Sequence, residues 1–170
     1  MRTSDDPAPL RDDRDVVVLP VYNEASTVGA VLEAVREVFD GVIIVVDDGS
    51  NDGTKQILGA RRDIVSVCHL VNRGYGRSLT DGFEMAIAVG ATRIVTMDCD
   101  GQHEPAHIPS FLAALSDADI VSGSRYLAGS LSLGTAPPER QAVNARVTAT
   151  INAVTAWGIT DAFCGFKAYR

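Results

Sequence analysis

Ile94-Val95-Thr96-Met97-Asp98-Cys99-Asp100-Gly101-Gln102-His103 is the stretch on which the reading turns. Ile94 to Met97 is a short apolar run containing β-branched residues, which suits a strand covered on both faces. The character then flips to acid, Cys, acid, Gly, amide and imidazole. In an open α/β sheet, ligands sit at the carboxyl ends of the strands. Two carboxylates two residues apart at such an end can turn toward one point, with Gly101 just beyond. They repel unless positive charge lies between them. A hard divalent cation, Mg²⁺ or Mn²⁺, held by oxygens and shared with a phosphate-bearing substrate, answers that need. Two solvated turn aspartates are the competing reading, because Asp and Gly are common turn residues.

Outward from this strand, further apolar runs alternate with helical periodicities. Val16 to Val21 reads as a first strand, with Pro20 near its end. A helix follows, capped at Ser26 or Thr27, with Val28, Val31, Leu32, Val35 and Val38 on one face. Gly41 to Val46 is a second strand and Ile64 to Leu70 a third, with His69 inside it as a structural residue. A helix with Leu79, Phe83, Ala86, Ile87 and Val89 leads to the 94–97 strand. The next helix carries Ile108, Phe111, Leu112 and Leu115, and Asp119 to Tyr126 is a fifth strand. Leu127 to Pro138 reads as a mobile loop, Glu139 to Ala156 as a long helix with Trp157 in the core beyond it, and Phe166 to Tyr169 as the start of a last strand.

Alternating strands and helices predict a single α/β domain around a mostly parallel central sheet flanked by helices. Polar clusters then gather on one edge: Tyr22 to Glu24, Asp47 to Asp52, Asn72 to Arg77, Asp98 to His103, and Ser124 with Arg125. Each follows a strand, which is the pattern of a binding site rather than of unrelated loops. Of Asp47 and Asp48, the second is expected to bind the ligand and the first to hold the loop, while Asp52 reads as a loop hydrogen-bonder or cap near Thr54. Gly74 and Gly76 allow close approach of backbone to a ligand.

The chain has 170 residues, 46% hydrophobic and 22% charged, with a net charge of −7. That length suffices for one domain with a substantial core. The acidic balance argues against a nucleic-acid surface, which needs a basic stripe. The three dispersed cysteines suggest a reducing compartment without a disulfide framework. Residues 1–15 lack an apolar signal region and are expected to form a disordered lead-in. No run approaches the roughly 20 apolar residues of a membrane span.

Six segments, VVVLPVYNEA (16–25), VVDDGSNDGT (45–54), NRGYGRSLTDG (72–82), VTMDCDGQHEP (95–105), DIVSGSRY (119–126) and TDAFCGFKAYR (160–170), resemble in order the motifs of family 2 glycosyltransferases. The branch they look most like is the dolichol- or polyprenol-phosphate sugar synthases. The resemblance implies a GT-A (Rossmann-like) fold over 16–170, a nucleotide-sugar donor of the GDP-mannose or UDP-glucose type, a divalent metal (Mg²⁺ or Mn²⁺) and inversion at the anomeric carbon. It implies a donor pocket made by Pro20, Tyr22, Glu24, Asp48, Ser50, Gly74, Arg77 and Asp98. It implies a metal set of Asp98, Asp100 and Gln102, and a catalytic set of Asp98, Asp100, Arg125 and Arg140. A polyprenyl phosphate acceptor, peripheral contact with a membrane and a cytoplasmic location at its inner face go with it. Such an acceptor is already ionised, so it needs cations rather than a general base, and no carboxylate stands out as a base between Arg125 and Arg140. Cys99 stands where the family usually has Ala, and Arg77 where Lys is frequent. Family members usually continue beyond the GFKAY segment, so the domain is expected to be C-terminally incomplete or unusually short. A non-catalytic nucleotide-sugar-binding module is the alternative. A haloacid-dehalogenase-type phosphatase, suggested by Asp98-Cys99-Asp100-Gly101, lacks the late acid pair.

Overall fold

The computed structural model describes residues 14–127 and 137–170. Most of the expected lead-in and most of the expected loop at 127–138 therefore lie outside the described residues. Elements follow in the order β1 (Asp15–Val21), α1 (Val28–Arg36), β2 (Val42–Asp47), α2 (Thr54–Ala60), β3 (Val65–Cys68), α3 (Tyr75–Ala88) and β4 (Arg93–Thr96). A 3₁₀ turn (Pro105–His107), α4 (Ile108–Ala114), β5 (Ile120–Ser122), α5 (Pro138–Thr155) and β6 (Lys167–Tyr169) complete it. Asp15, read as lead-in, is the first residue of β1 and holds Arg93 through two hydrogen bonds of 2.6 and 2.7 Å.

The strands form one six-stranded sheet in the order β3-β2-β1-β4-β6-β5. β3, β2, β1 and β4 are parallel, as alternating strands and helices require. β6 runs antiparallel to both β4 and β5, so β5 points the same way as β4. Pro20 sits opposite Val46 of β2, past the point where β4 ceases to pair with β1. Its missing N–H therefore breaks no ladder bond on that side.

Alternation along the strands splits the core in two. Val17, Leu19, Ile43, Val45 and Val95 face α1 and α4, packing on Val28, Leu32, Val35, Ile108 and Leu112. Val16, Val18, Ile44, Val46 and Ile94 face α3. The stripe of α3 buried against the sheet is Ser78, Gly82 and Ala86; of the expected face, Ala86 is buried, Phe83 and Val89 pack against the core, and Ile87 is exposed. Small residues win this contact because α3 lies close on the sheet: a Cβ on Gly82 would stand 2.4 Å from Val18 Cγ1.

Two further expectations are corrected. Trp157 is 65% exposed rather than in the core, since α5 turns only Asn144 and Thr148 fully inward. β3 ends at Cys68, so His69 is not inside a strand and Leu70 and Val71 are exposed. Gly82→Leu should overpack the α3–β1 contact and lower stability by about 1–3 kcal/mol. Urea denaturation against the parent measures it, and an unchanged midpoint would refute the close packing.

Candidate active site

The carboxyl ends of the parallel strands share one edge, and the antiparallel β6 begins at that edge. The loop that precedes β6 therefore arrives among the polar clusters. The strand-end loops are tied to each other first. Asn23, in the left-handed region at φ 57°, donates its N–H to Ser50 Oγ at 2.9 Å and accepts from Asn51 N at 2.9 Å. Glu24 N donates to Thr54 Oγ1 at 2.9 Å and Ala25 N to Asp52 Oδ2 at 3.0 Å. Asp52 also accepts from Thr54 N, the loop hydrogen-bonding that was one of its two expected roles, while the N-cap of α2 is Gly53. Pro20 is buried below this loop, Glu24 is half-buried and Tyr22 exposed. Ser50, expected at the donor, thus serves the loop through both its N–H, bonded to Asp47 Oδ1, and its hydroxyl.

The two neighbouring aspartates take different partners. Asp48 is 2% exposed and accepts from His69 Nδ1 at 2.6 Å, Arg73 N at 2.8 Å and Gly74 N at 2.8 Å. Burial pushes its pKa up, but the hydrogen bonds from His69, Arg73 and Gly74 outweigh it and hold the carboxyl below its ordinary range. Asp48, expected to bind the ligand, thus holds the Arg73–Gly74 turn through its own carboxylate. Asp47, read as the loop holder, accepts from Ser50 N through Oδ1 at 3.0 Å, in keeping with that reading, and keeps Oδ2 buried with no hydrogen-bond partner among the described residues. Gly74, at φ 91°, makes the entry to α3. Arg77 pairs with Asp81 through Nη2 and through Nε at 3.0 Å.

At the end of β4, Asp98 turns to the α3 side. Its N–H donates to His103 Nδ1 at 3.1 Å, which leaves the ring's Nε2 facing Asp98 Oδ2 at 4.0 Å. Asp98 Oδ1 is buried and has no hydrogen-bond partner among the described residues. Tyr75 stands beside it, its hydroxyl pKa pushed up by burial and then by the Asp98 charge. Cys99 points to the opposite face into the core, and burial, with Glu24, Asp100 and Asp98 adding to it, pushes the thiol up to about 12. It stays protonated and is not a ligand. Asp100 and Gln102 are exposed, and Gln102 N donates to Asp100 Oδ1 at 2.9 Å. Among the described residues no three His, Cys, Asp or Glu side chains converge as a self-sufficient metal cage. An orphaned buried carboxylate oxygen beside an exposed carboxylate and amide still fits a hard cation that takes its remaining oxygens from substrate.

Gly165, from the loop before β6, lies directly on Asp98. A Cβ there would stand 2.4 Å from Asp98 Oδ2 and 2.6 Å from Oδ1. Thr96 Oγ1 donates to the Gly165 carbonyl at 2.9 Å and fixes that approach. The same loop supplies Asp161, which the sequence reading missed. Arg125 Nε donates to Asp161 Oδ2 at 2.8 Å and Nη2 to Oδ1 at 3.1 Å, while Arg125 N also reaches Oδ2 at 3.2 Å. A carboxylate does stand next to Arg125, and it occupies one edge of the guanidinium. Burial raises the Asp161 pKa, but the Arg125 bonds outweigh it and leave it below the ordinary range. Thr148 of α5 accepts from Ala162 N at 3.1 Å and holds the loop from behind. Arg140 is exposed on the first turn of α5. Of the expected catalytic set, Asp98 and Asp100 thus follow β4, Arg125 follows β5 against the loop before β6, and Arg140 lies on the first turn of α5. Gly165 and Asp161 lie in the 160–170 segment that resembles a family motif, but its residues gave neither one a role at the site.

Residues 16–170 match the model of glycosyl transferase family 2, and the chain belongs to that family. It is 34% identical to polyprenol monophosphomannose synthase of Mycolicibacterium smegmatis over 98% of this chain and 65% of that protein. It is 30% identical to undecaprenyl-phosphate mannosyltransferase of Micrococcus luteus over 92% of this chain and 66% of that one. It thus spans about two thirds of the length of these curated relatives. Among solved structures, glucosyl-3-phosphoglycerate synthase from Mycobacterium tuberculosis, in complex with Mn²⁺, UDP and phosphoglyceric acid, is similar with a TM-score of 0.67. That match has 20% identity and covers 93% of this chain and 56% of the other. The mannosyltransferase PcManGT from Pyrobaculum calidifontis, in complex with GDP-Man and Mn²⁺, gives 0.64 at 20% identity, over 96% and 46%. The fold is the expected GT-A fold.

Two outcomes test the geometry. Gly165→Ala should displace the Asp98 carboxylate and weaken Mn²⁺ binding, read by calorimetry, while the circular dichroism spectrum stays that of the parent. Unchanged Mn²⁺ affinity would show that Gly165 does not seat Asp98. Arg125→Met should destabilise the domain near neutral pH by about 1–3 kcal/mol, because it strands a buried carboxylate, the partial exposure of Arg125 moderating the loss. Asp161 has a depressed pKa in the parent, so the pair's stabilisation is present above the ordinary carboxylate value and is lost as pH falls through the lower folded one. The gap between parent and variant in urea titrations should therefore close toward acid pH; a pH-independent gap would argue against the ion pair.

Proposed function

We infer that this domain binds a nucleoside-diphosphate sugar along the carboxyl edge of its sheet and transfers the sugar, with inversion, to a polyprenyl phosphate. The observation that carries this reading is Asp98, whose buried Oδ1 lacks a hydrogen-bond partner among the described residues while Asp100 and Gln102 stand exposed two and four residues on. Asp98, Asp100 and Gln102 would hold Mg²⁺ or Mn²⁺, which when bound supplies the charge that stabilises a departing diphosphate. Support for the cation comes from structural neighbours described with Mn²⁺ and UDP or GDP-Man. Support for the acceptor comes from relatives named for polyprenol and undecaprenyl-phosphate chemistry.

The chain's own residues do the positioning. The Tyr22–Glu24 loop, pinned to 50–54, forms one wall of the nucleotide pocket over Pro20. The Arg73–Gly74 turn, pinned by Asp48, forms the other. Arg77 lies on the first turn of α3, whose N-terminus favours anionic groups. A phosphomonoester acceptor is ionised near neutral pH and can attack without a general base. Asp161 supports that division: it is buried, bonded to Arg125 and depressed in pKa, the opposite of a carboxylate tuned to accept a proton at neutral pH. Arg125, with the edge of its guanidinium not facing Asp161, and Arg140 would receive acceptor phosphate oxygens. A lipid acceptor places the domain against the inner face of a membrane as a peripheral partner. No helix among the described residues is long and apolar enough to cross one.

Nucleoside-diphosphate binding should require a divalent cation, and calorimetry with Mn²⁺ and with chelator measures it; equal affinity in both would remove the metal from the reading. Asp100→Ala should abolish transfer without unfolding the protein. Polyprenyl phosphate, the matching polyprenol and a free saccharide, offered to the full protein that carries this domain, test the acceptor. Transfer to the alcohol or the saccharide and none to the phosphate would overturn that part of the proposal.

A further inference from the structure

His69 lies just past β3, 8% exposed, with both ring nitrogens against carboxylates. Nδ1 is 2.6 Å from Asp48 Oδ1 and Nε2 is 2.7 Å from Asp81 Oδ2. At those distances a proton lies between each ring nitrogen and its carboxylate oxygen, so both contacts are hydrogen bonds. Each carboxylate is in turn the hub of a second set of bonds. Asp48 gathers the backbone N–H groups of Arg73 and Gly74. Asp81 gathers the side chain of Arg77, with Arg73 Nη1 at 3.8 Å. One imidazole thus joins the backbone anchor of the 72–77 turn to the side-chain anchor of the same turn, from the end of β2 to the first turns of α3.

We propose that His69 is a positioning residue for the nucleotide site: its ring is the brace that holds the Arg73–Gly74 turn and the start of α3 where the donor nucleotide binds. The proposal rests on the nucleotide-binding reading above. The groups around the ring are Asp48, Asp81, Arg73 and Arg77, so the brace is a small charged cluster closed on itself. Its members need one another. Without the imidazole, Asp48 and Asp81 each lose the hydrogen bond that ties them together, and the two anchors of the turn come apart. A residue that only filled space here would leave the Arg73 and Gly74 amides in place when exchanged for another ring.

The test uses GDP and UDP with Mn²⁺ as probes and hydrogen exchange at the Arg73 and Gly74 amides as a readout independent of any ligand. His69→Phe should weaken nucleotide binding about tenfold, the order expected when one buried charged hydrogen-bond partner is lost, and should speed exchange at both amides. His69→Gln, which retains an N–H donor for Asp48, should restore part of both. Asp81→Asn should act in the same direction, and its further effect in the His69→Phe background should shrink, since contacting residues are not additive. Should His69→Phe fail to fold in thermal melts, the Gln and Asn variants carry the comparison. Parent-like affinity and slow amides in folded His69→Phe would overturn the proposal, as would strict additivity with Asp81→Asn. If the parent binds neither nucleotide, the nucleotide reading falls, while the amide exchange still decides whether His69 holds the turn.

Discussion

The hydrogen-bonded seam between β4 and β6 is the constraint on which the rest of the site depends. β4 is short and buried on both faces, so its backbone donors and acceptors must find partners on both sides. β1 satisfies one side through Val16 to Val18, and β6 satisfies the other through Lys167 to Tyr169. Because β6 enters antiparallel, its preceding loop starts at the edge where β4 ends. That reversal puts Gly165 on Asp98 and Asp161 under Arg125. A parallel strand in the same place would carry that loop to the opposite end of the sheet and leave the Asp98 carboxylate uncovered.

Charge organises the edge once the backbone has placed it. The chain is acidic, and most carboxylates near the edge are matched by a donor of their own. Asp52 has Thr54 and Ala25, Asp48 has His69 with the 73–74 backbone, Asp81 has Arg77, and Asp161 has Arg125. Against that background the buried oxygens of Asp47 and Asp98 that have no partner among the described residues stand out, since a buried acceptor without a donor costs stability. Sites keep such atoms when a ligand supplies the missing partner. Asp98 sits at the strand end next to exposed oxygens, which suits a cation; Asp47 sits deeper, under the Ser50 turn.

The outer layers show where packing is governed by closeness rather than by hydrophobicity. α3 meets the sheet with Ser78, Gly82 and Ala86 because larger residues would strike Val18 and Val46. α5 turns Asn144 and Thr148 inward, and Thr148 and Asn152 are spent on the backbone of the 159–162 loop. Polar residues face in because that loop offers amide and carbonyl groups, not an apolar surface. Trp157 is left outside for the same reason.

Much of the architecture was legible in the residues themselves. Apolar runs bounded by polar, glycine-punctuated turns place β1, β2 and β4 to within a residue or so, and the apolar face of α1 is the predicted one. Both are local: period and punctuation depend only on near neighbours. The gathering of polar loops on one edge follows from strand–helix alternation, which is also a property of chain order. Tertiary structure alone decided which charges meet. His69 lies 21 residues from Asp48, and Thr96 lies 69 from Gly165. His69 reads as a strand residue and Asp161 as one more loop acid until the fold sets a partner beside each. A side chain's role at such a site is set by what approaches it through space, and the spacing of letters along the chain does not encode that distance.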